Sequence, residues 1–146
     1  MSLETLERRV AALEARAFDM SRVLNTVVIG TLEWHKATSP DRLNFKDAEA
    51  YCKALTTGGH TDWRLPTIQE LLSLVDYTRH DPAIDVAQFP DTKSNWYWSS
   101  SPDASAPADY AWFVYFVFGD AYCNYRDDTA FVRAVRSVAP ASQVTP

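Results

Sequence analysis

Between Tyr122 and Asp128 the chain sets Tyr122, Asn124, Tyr125, Arg126, Asp127 and Asp128 within seven residues. That mixture suits recognition, because rigid aromatic rings supply contact area at low entropic cost while Asn, Arg and Asp supply adaptable hydrogen bonds. A solvated hairpin tip is the plain alternative for the same stretch. Other groups able to do chemistry are dispersed. Cys52 and Cys123 lack metal-ligand spacing, and His35, His60 and His80 supply no cluster. Asp81 and Asp85 flank Pro82 and Ile84 in a polar loop, where paired acids are ordinarily solvated turn residues. No Gly-x-Ser-x-Gly elbow, P-loop or His-Glu-x-x-His pair occurs. The expectation is a protein that is not an enzyme and holds neither metal nor cofactor.

Composition narrows the classes further. A chain of 146 residues, 47% hydrophobic and 23% charged, carries enough apolar material for one main domain. Its net charge of -5 argues against a phosphate-neutralising surface, so nucleic acid is not an expected partner. No run approaches the roughly 18 apolar residues of a membrane span, so no membrane insertion is expected. The opening "MSLETLERRV" lacks the apolar core of a signal peptide, which predicts a protein made in the cytoplasm or exported without a cleaved signal.

The first residues follow a separate rule. Leu3, Leu6, Val10, Leu13, Ala17, Met20 and Leu24 step alternately by three and four, a heptad with its seam at positions a and d. Arg9 and Arg16 then occupy g, and Glu7 and Glu14 occupy e, so that in parallel chains Arg9 of one helix faces Glu14 of its neighbour. A helix of this length, about 33 Å, is marginal alone and must associate or dock. Two outcomes remain open: a coiled coil, or an amphipathic helix packed on its own domain. The run "RVAALE" resembles the short signature of parallel three-stranded coiled coils, which implies a homotrimer, although Val at a with Leu at d also suits two strands.

The elements that must position the Tyr122–Asp128 stretch follow. "NTVVIGTLEWHK" reads as a strand leaving the stalk. Asn44 can cap a helix whose apolar face is Phe45, Ala48, Cys52 and Leu55, stopped by Gly58 and Gly59. In "TDWRLPTIQEL", Pro66 disfavours helix at Leu65, and Thr67 with Glu70 forms a capping box. A second helix therefore starts at Ile68, packs Ile68, Leu71, Leu72 and Val75 inward, and ends near Tyr77. "NWYWSS", "AWFVYFVF" and "FVRAVR" read as strands, the last two separated by a turn at Gly119-Asp120 and by "AYCNYRDD". Alternation places Trp112, Val114, Phe116 and Phe118 on one face and Phe113, Tyr115 and Val117 on the other. The second face is either an exposed patch that marks a contact, or it is buried within the domain. The class is α+β with an antiparallel sheet.

"EAYCKAL", "GGHTDWRLPTIQELLSLVDY", "HDPAID", "YWSSS", "AWFVYF" and the closing "FVRAVR" together resemble the bacterial DUF1566 family, also called the Lcl C-terminal domain. That family is similar to C-type lectin-like folds, including formylglycine-generating enzymes and the receptor-binding proteins of diversity-generating retroelements. The resemblance implies a C-type lectin-like domain with two helices over residues 26–138, between a coiled-coil stalk at 1–25 and a tail at 139–146. It implies that Trp63 and Arg64 are locked inside, Arg64 needing Glu70 or Asp76 as partner. The family often closes "VRCVR", where this chain has Ala134, so Cys52 lacks its usual mate and is expected as a buried free thiol, with pairing to Cys123 the other possibility. Calcium at Asp120, Asn124, Asp127 and Asp128 is conceivable, but the Glu-Pro-Asn and Trp-Asn-Asp motifs of sugar-binding C-type lectins are absent.

Taken together, the expected ligand-binding residues are Phe113, Tyr115, Tyr122, Asn124, Tyr125, Arg126, Asp127 and Asp128. Leu3, Leu6, Arg9, Val10, Leu13, Glu14, Ala17, Met20 and Leu24 are expected to oligomerise the chain. The function read by analogy is a trimeric recognition or display protein for a cell-surface protein or glycan, in the setting of a phage tail or receptor-binding component of a virion. The alternatives are a structural virion or surface assembly protein, docked to other virion subunits without a soluble ligand, and a formylglycine-generating-type oxidase.

Overall fold

A computed structural model describes residues 2–139, apart from the side chains of residues 17–23. The expected tail at 139–146 therefore lies outside the described residues except for Ala139. Helix α1 (Leu3–Asn25) runs directly into strand β1 (Thr26–Ile29), with no linker between them. The stretch expected as one strand is a hairpin, β1 returning as β2 (Leu32–His35) with Thr26 opposite His35. Gly30 is the reason: its φ of 62° is open to glycine and strained for most residues, and it reverses the chain inside a β-branched run.

Asn44 accepts the Asp47 amide at 2.9 Å and opens α2 (Phe45–Ala54), whose buried face is Phe45, Ala48 and Cys52. Thr67 opens α3 (Ile68–Leu72) with both halves of the capping box formed, at 3.1 Å and 2.8 Å. Helix α3 stops at Leu72, short of the expected end near Tyr77. Ser73 bonds back to the Glu70 carbonyl, and the Leu74 and Val75 amides tighten onto carbonyls three residues back. Leu71 is buried and Ile68, Leu72 and Val75 pack partly buried against the same core, so the expected apolar face survives although the helix does not.

Among the described residues six strands make two three-stranded antiparallel sheets. One has the order β1-β2-β6, with β6 at Val135–Ser137; the other has β3 (Trp96–Pro102), β4 (Tyr110–Tyr115) and β5 (Asp120–Tyr125). Among the described residues the fold is thus α+β, with an N-terminal α-helix and two further α-helices. Between β4 and β5 the turn passes Gly119 at φ 84°, where a Cβ would lie 2.2 Å from Val75. Strand β4 is buried on both sides. Phe113 packs with Trp98, Phe45, Cys52 and Trp63, whereas Val114 belongs with Tyr97, Trp34, Leu71 and Ile84. The strand ends at Tyr115, so Phe116, Val117 and Phe118 belong to the turn, where Phe116 is buried and Phe118 exposed.

The closing segment joins these parts. Ala130 pairs with Leu43, Phe131 with Tyr97, and Val135 with both Arg64 and Trp34. At its centre Arg133 is 1% exposed. Its guanidinium donates to the carbonyls of His35 (2.8 Å) and Lys36 and to the hydroxyls of Thr92 (2.8 Å) and Thr38 (3.3 Å). It also lies over the Phe89 ring at 4.7 Å. The sequence placed its buried arginine at Arg64; the structure corrects this. Trp63 is inside, but the Arg64 guanidinium reaches the surface and forms a two-pronged pair with Glu70 at 2.7 and 3.0 Å. Glu70 thus serves the cap and the ion pair together, while Asp76 pairs with Arg79.

The junction is tied to its surroundings by backbone. Ser100 donates to the Pro66 carbonyl at 2.7 Å, and Arg64 exchanges two backbone bonds with Val135. Thr67→Ala should therefore lower stability by about 0.5–2 kcal/mol, the loss of an N-cap. Trp63→Ala should remove roughly 3–5 kcal/mol through a core cavity. Thermal melts check both, and equal effects would contradict the assignment of cap and core.

Beside Arg133, His35 is buried edge-on against Trp63 at 4.4 Å, and its Nε2 has no partner among the described residues. Burial first, then the Arg133 charge, lowers its pKa from 6.5 to about 4, against an opposing pull from Glu33. The unfolded chain therefore takes up the extra proton across that interval. Stability from neutral His35 is full above pH 6.5, falls as pH drops, and is lost below about 4. Denaturation at stepped pH should show roughly 3 kcal/mol lost across this window. His35→Gln should flatten that slope.

Candidate functional site

The stretch "AYCNYRDD" is mostly strand. Its first part forms β5, the edge of the second sheet, paired with β4 from Tyr110↔Tyr125 to Tyr115↔Asp120. Strand alternation then divides the expected binding residues between two faces. Tyr122 and Asn124 share a face with Phe113 and Tyr115, whereas Tyr125 lies opposite, its ring 4.5 Å from that of Tyr110. Arg126 turns inward: its guanidinium stacks on the Phe45 ring at 4.2 Å and donates to the Pro107 carbonyl at 2.6 Å. It clasps the β5 end to α2 and to the loop before β4. Asp127 and Asp128 are exposed in the turn that follows, the Asp128 amide bonded to the Tyr125 carbonyl at 3.0 Å.

The first face carries an aromatic stack. Trp96 lies between Phe113 (4.2 Å, 15°) and Tyr115 (4.3 Å, 19°), nearly parallel to both, and Tyr122 meets it edge-on at 5.4 Å. Phe113 is 5% exposed and Tyr122 48%. Around this stack opens a groove of about 410 Å³. Trp96, Phe113 and Tyr122 form its apolar part, and Arg42, Cys123, Asn124, Asp128 and Thr129 complete the lining. Arg42 donates to the Thr129 carbonyl at 2.7 Å, which holds its guanidinium beside the groove. Tyr125, Arg126 and Asp127 line a separate hollow of about 320 Å³ with Asp109 and Tyr110.

Sequence reasoning missed Trp96, Arg42 and Thr129. Trp96 carried a usable signal, since in "NWYWSS" it alternates with Tyr97, and one of the two had to face away from the Tyr97 core. Arg42 and Thr129 lie 87 residues apart and carried none.

Among the described residues no three His, Cys, Asp or Glu side chains group as metal ligands. Asp120 and Asn124 stand four positions apart on one strand, about 13 Å along it, too far to share an ion. Cys52 and Cys123 are both free. Burial, reinforced by the Glu49 charge, pushes the Cys52 thiol up to about 12. Cys123, half-buried on the face of β5 opposite Tyr122 and Asn124, is also raised, chiefly by desolvation. A thiol reagent should therefore label one cysteine of the native protein, Cys123, and reach Cys52 only in denaturant. Peptide mapping decides which residue carries the label.

From Leu3 to Arg16 the α1 side chains are exposed, including Leu3 (71%), Leu6, Val10, Leu13, Arg9 and Glu14. Leu24 is exposed at the other end, and the side chains of Ala17 and Met20 lie outside the described residues. Among the described residues no helix is long and apolar enough to cross a membrane. A search of curated proteins finds no significant match to this sequence. A family-level match does exist. It spans residues 29–136, from the end of β1 through the groove and the Arg133 segment to β6, and on that span the chain belongs to the Lcl C-terminal domain family.

Proposed function

We propose that this protein is a non-enzymatic recognition or display module in which α1 joins three chains in parallel and each C-type lectin-like head offers a site to a cell-surface protein or glycan. The observation that carries the reading is the exposed apolar seam of α1. Leu3, Leu6, Val10 and Leu13 form a helical stripe in contact with water, and a helix of this kind gains most by burying the stripe against copies of itself. Arg9 and Glu14, also exposed, stand where parallel neighbours bring them together. Three weak sites on one stalk would act together, so that modest affinity per head becomes useful avidity. A phage tail or receptor-binding component is the setting that fits this organisation.

A second reading has its own observation. Val28 and Ile29 are 52% and 41% exposed on β1, the edge strand that continues from the helix. Apolar residues there suit a structural assembly protein that packs its heads against other subunits and binds no soluble ligand.

Light scattering of the intact chain should give about three times 16.5 kDa, and removal of residues 1–24 should release folded monomers. A monomeric full-length protein would overturn the stalk, and a dimer would replace the trimer.

A further inference from the structure

We propose that the free edge of β5 receives an extended, basic peptide segment of a partner protein, which joins the second sheet as a further strand beside the Trp96 groove. The inference rests on the recognition reading above and names its ligand class. It follows from the hydrogen-bond ladder. The Phe116 amide donates to the Asn95 carbonyl at 3.0 Å, and the Trp112 carbonyl accepts the Ser99 hydroxyl at 2.6 Å. Alternation along β4 then turns the main-chain groups of Trp112 and Val114 toward β3, and those of Ala111, Phe113 and Tyr115 toward β5. Their register partners Asn124, Tyr122 and Asp120 are thereby paired, so Ala121, Cys123 and Tyr125 point their N–H and C=O away from the sheet. Tyr125 is already answered, its amide by the Asn124 side chain at 2.8 Å and its carbonyl by the Asp128 amide at 3.0 Å. Among the described residues nothing answers the main-chain groups of Ala121 and Cys123, two donors and two acceptors at the spacing of a strand.

The other edges offer less. The outer edge of β3 is bonded to the closing segment, Trp98 donating to the Phe131 carbonyl and Phe131 to that of Trp96, and β6 exchanges two bonds with Arg64. β1 is free but only four residues long, and Thr26 at its start is buried. β5 also lacks the usual protection of an edge, having no Lys, no Pro and no bulge across its six residues. The groove lining includes Cys123 although its thiol lies on the face opposite Tyr122, which puts the opening at the main chain of the strand. A strand added there sets every second side chain over the groove, beside the exposed Tyr122 ring, a position that suits an apolar or aromatic residue.

Charge selects the sign of the peptide. Asp120 stands at one end of β5, Asp127 and Asp128 follow the other, all exposed, and Asp103 bears on Cys123 from the opposite face. Against them, Arg126 is turned in on Phe45 and Arg42 is tied to the Thr129 carbonyl. Lys or Arg flanking the apolar residue would answer those carboxylates. The same acids argue against a second copy of the chain as occupant. Antiparallel pairing of two β5 edges would bring the Asp120 end of each strand to the Asp127 and Asp128 end of the other, and like charges across strands destabilise.

The test uses the full chain and a displayed library of random linear peptides, whose selected members are resynthesised for calorimetry and hydrogen-exchange NMR. Selected sequences are expected to alternate apolar residues with Lys or Arg and, on binding, to protect the Ala121 and Cys123 amides. N-methylation of alternate peptide amides should weaken binding about tenfold or more, while methylation of the amides between them should not. Cys123→Pro removes an outward donor and no ladder bond to β4, so it should give the same loss, whereas Cys123→Ser should bind normally. The methylated peptides read the unaltered protein, so the result does not hang on how the proline variant folds. Binding indifferent to both methylation sets and to Cys123→Pro, selection of acidic peptides, or no peptide selected at all would overturn the proposal. So would larger species in light scattering that Cys123→Pro disperses, which would give the edge to a second copy. Methyl glycosides of common hexoses are the control probes: sugar binding without peptide binding would sink the peptide and leave the recognition reading standing, and silence of both probe sets would sink both.

Discussion

A guanidinium removed from water is expensive unless it finds hydrogen-bond acceptors, and Arg133 finds four of them at the centre of the molecule. Two backbone carbonyls, two hydroxyls and an aromatic face surround it. Those partners come from two separate stretches, the run from His35 to Thr38 at the end of β2 and the loop from Phe89 to Thr92, both brought to the closing segment that carries Arg133. Burial pulls the Arg133 pKa down, with Tyr97 and Asp91 among the groups that oppose the pull. No single element could satisfy this group. The chain must bring both stretches to the closing segment or leave a charge buried without partners, and the connection between the two sheets follows from that requirement.

The neighbours of Arg133 extend the same logic. Thr38, which accepts from it, also bonds the Tyr97 hydroxyl at 2.6 Å and the Asp91 carbonyl at 2.7 Å. Tyr97 in turn pairs with Val114 in the second sheet. On the other side, Glu33 is fully buried, taking the Thr26 hydroxyl at 2.8 Å and Arg136 at 2.7 Å. Arg136 also reaches Asp62, just before the Trp63 junction. Polar groups of high individual cost are thus used in pairs, each holding the next strand in register. The apolar clusters on either side of β3 and β4 supply the bulk of the driving force, but they are less selective about geometry than these bonds.

The groove is a by-product of the same arrangement. Tyr97 must face the core that contains Trp34 and Val114, so its neighbour Trp96 must face the other way. At that end of β3 the opposite face extends past Trp98 and Phe113, which pack on α2, leaving Trp96 and Tyr115 partly open to water. The edge strand β5 then brings Tyr122 and Asn124 beside them. Arg126, the one cation of the stretch, serves instead to clasp the end of that strand against Phe45.

Local chemistry was legible in the chain itself. Asn44, Thr67 and Glu70 declare helix starts because their bonds close within three residues, and the structure forms each of them. The α1 seam is equally plain, since its spacing is a property of one helix. The start of α3 followed from its cap, but its end did not, because the apolar period continued through a turn that Ser73 had already broken. Gly30 hid a hairpin inside a β-branched run. What the tertiary structure alone decided were the pairings of residues distant in the chain: which arginine is buried, which ring of "NWYWSS" is open, and that Arg42 meets Thr129. Arg64 and Arg133 are both flanked by apolar residues and look alike in sequence. Only the convergence of two distant stretches on Arg133, and a single local acid beside Arg64, tells the buried charge from the surface ion pair.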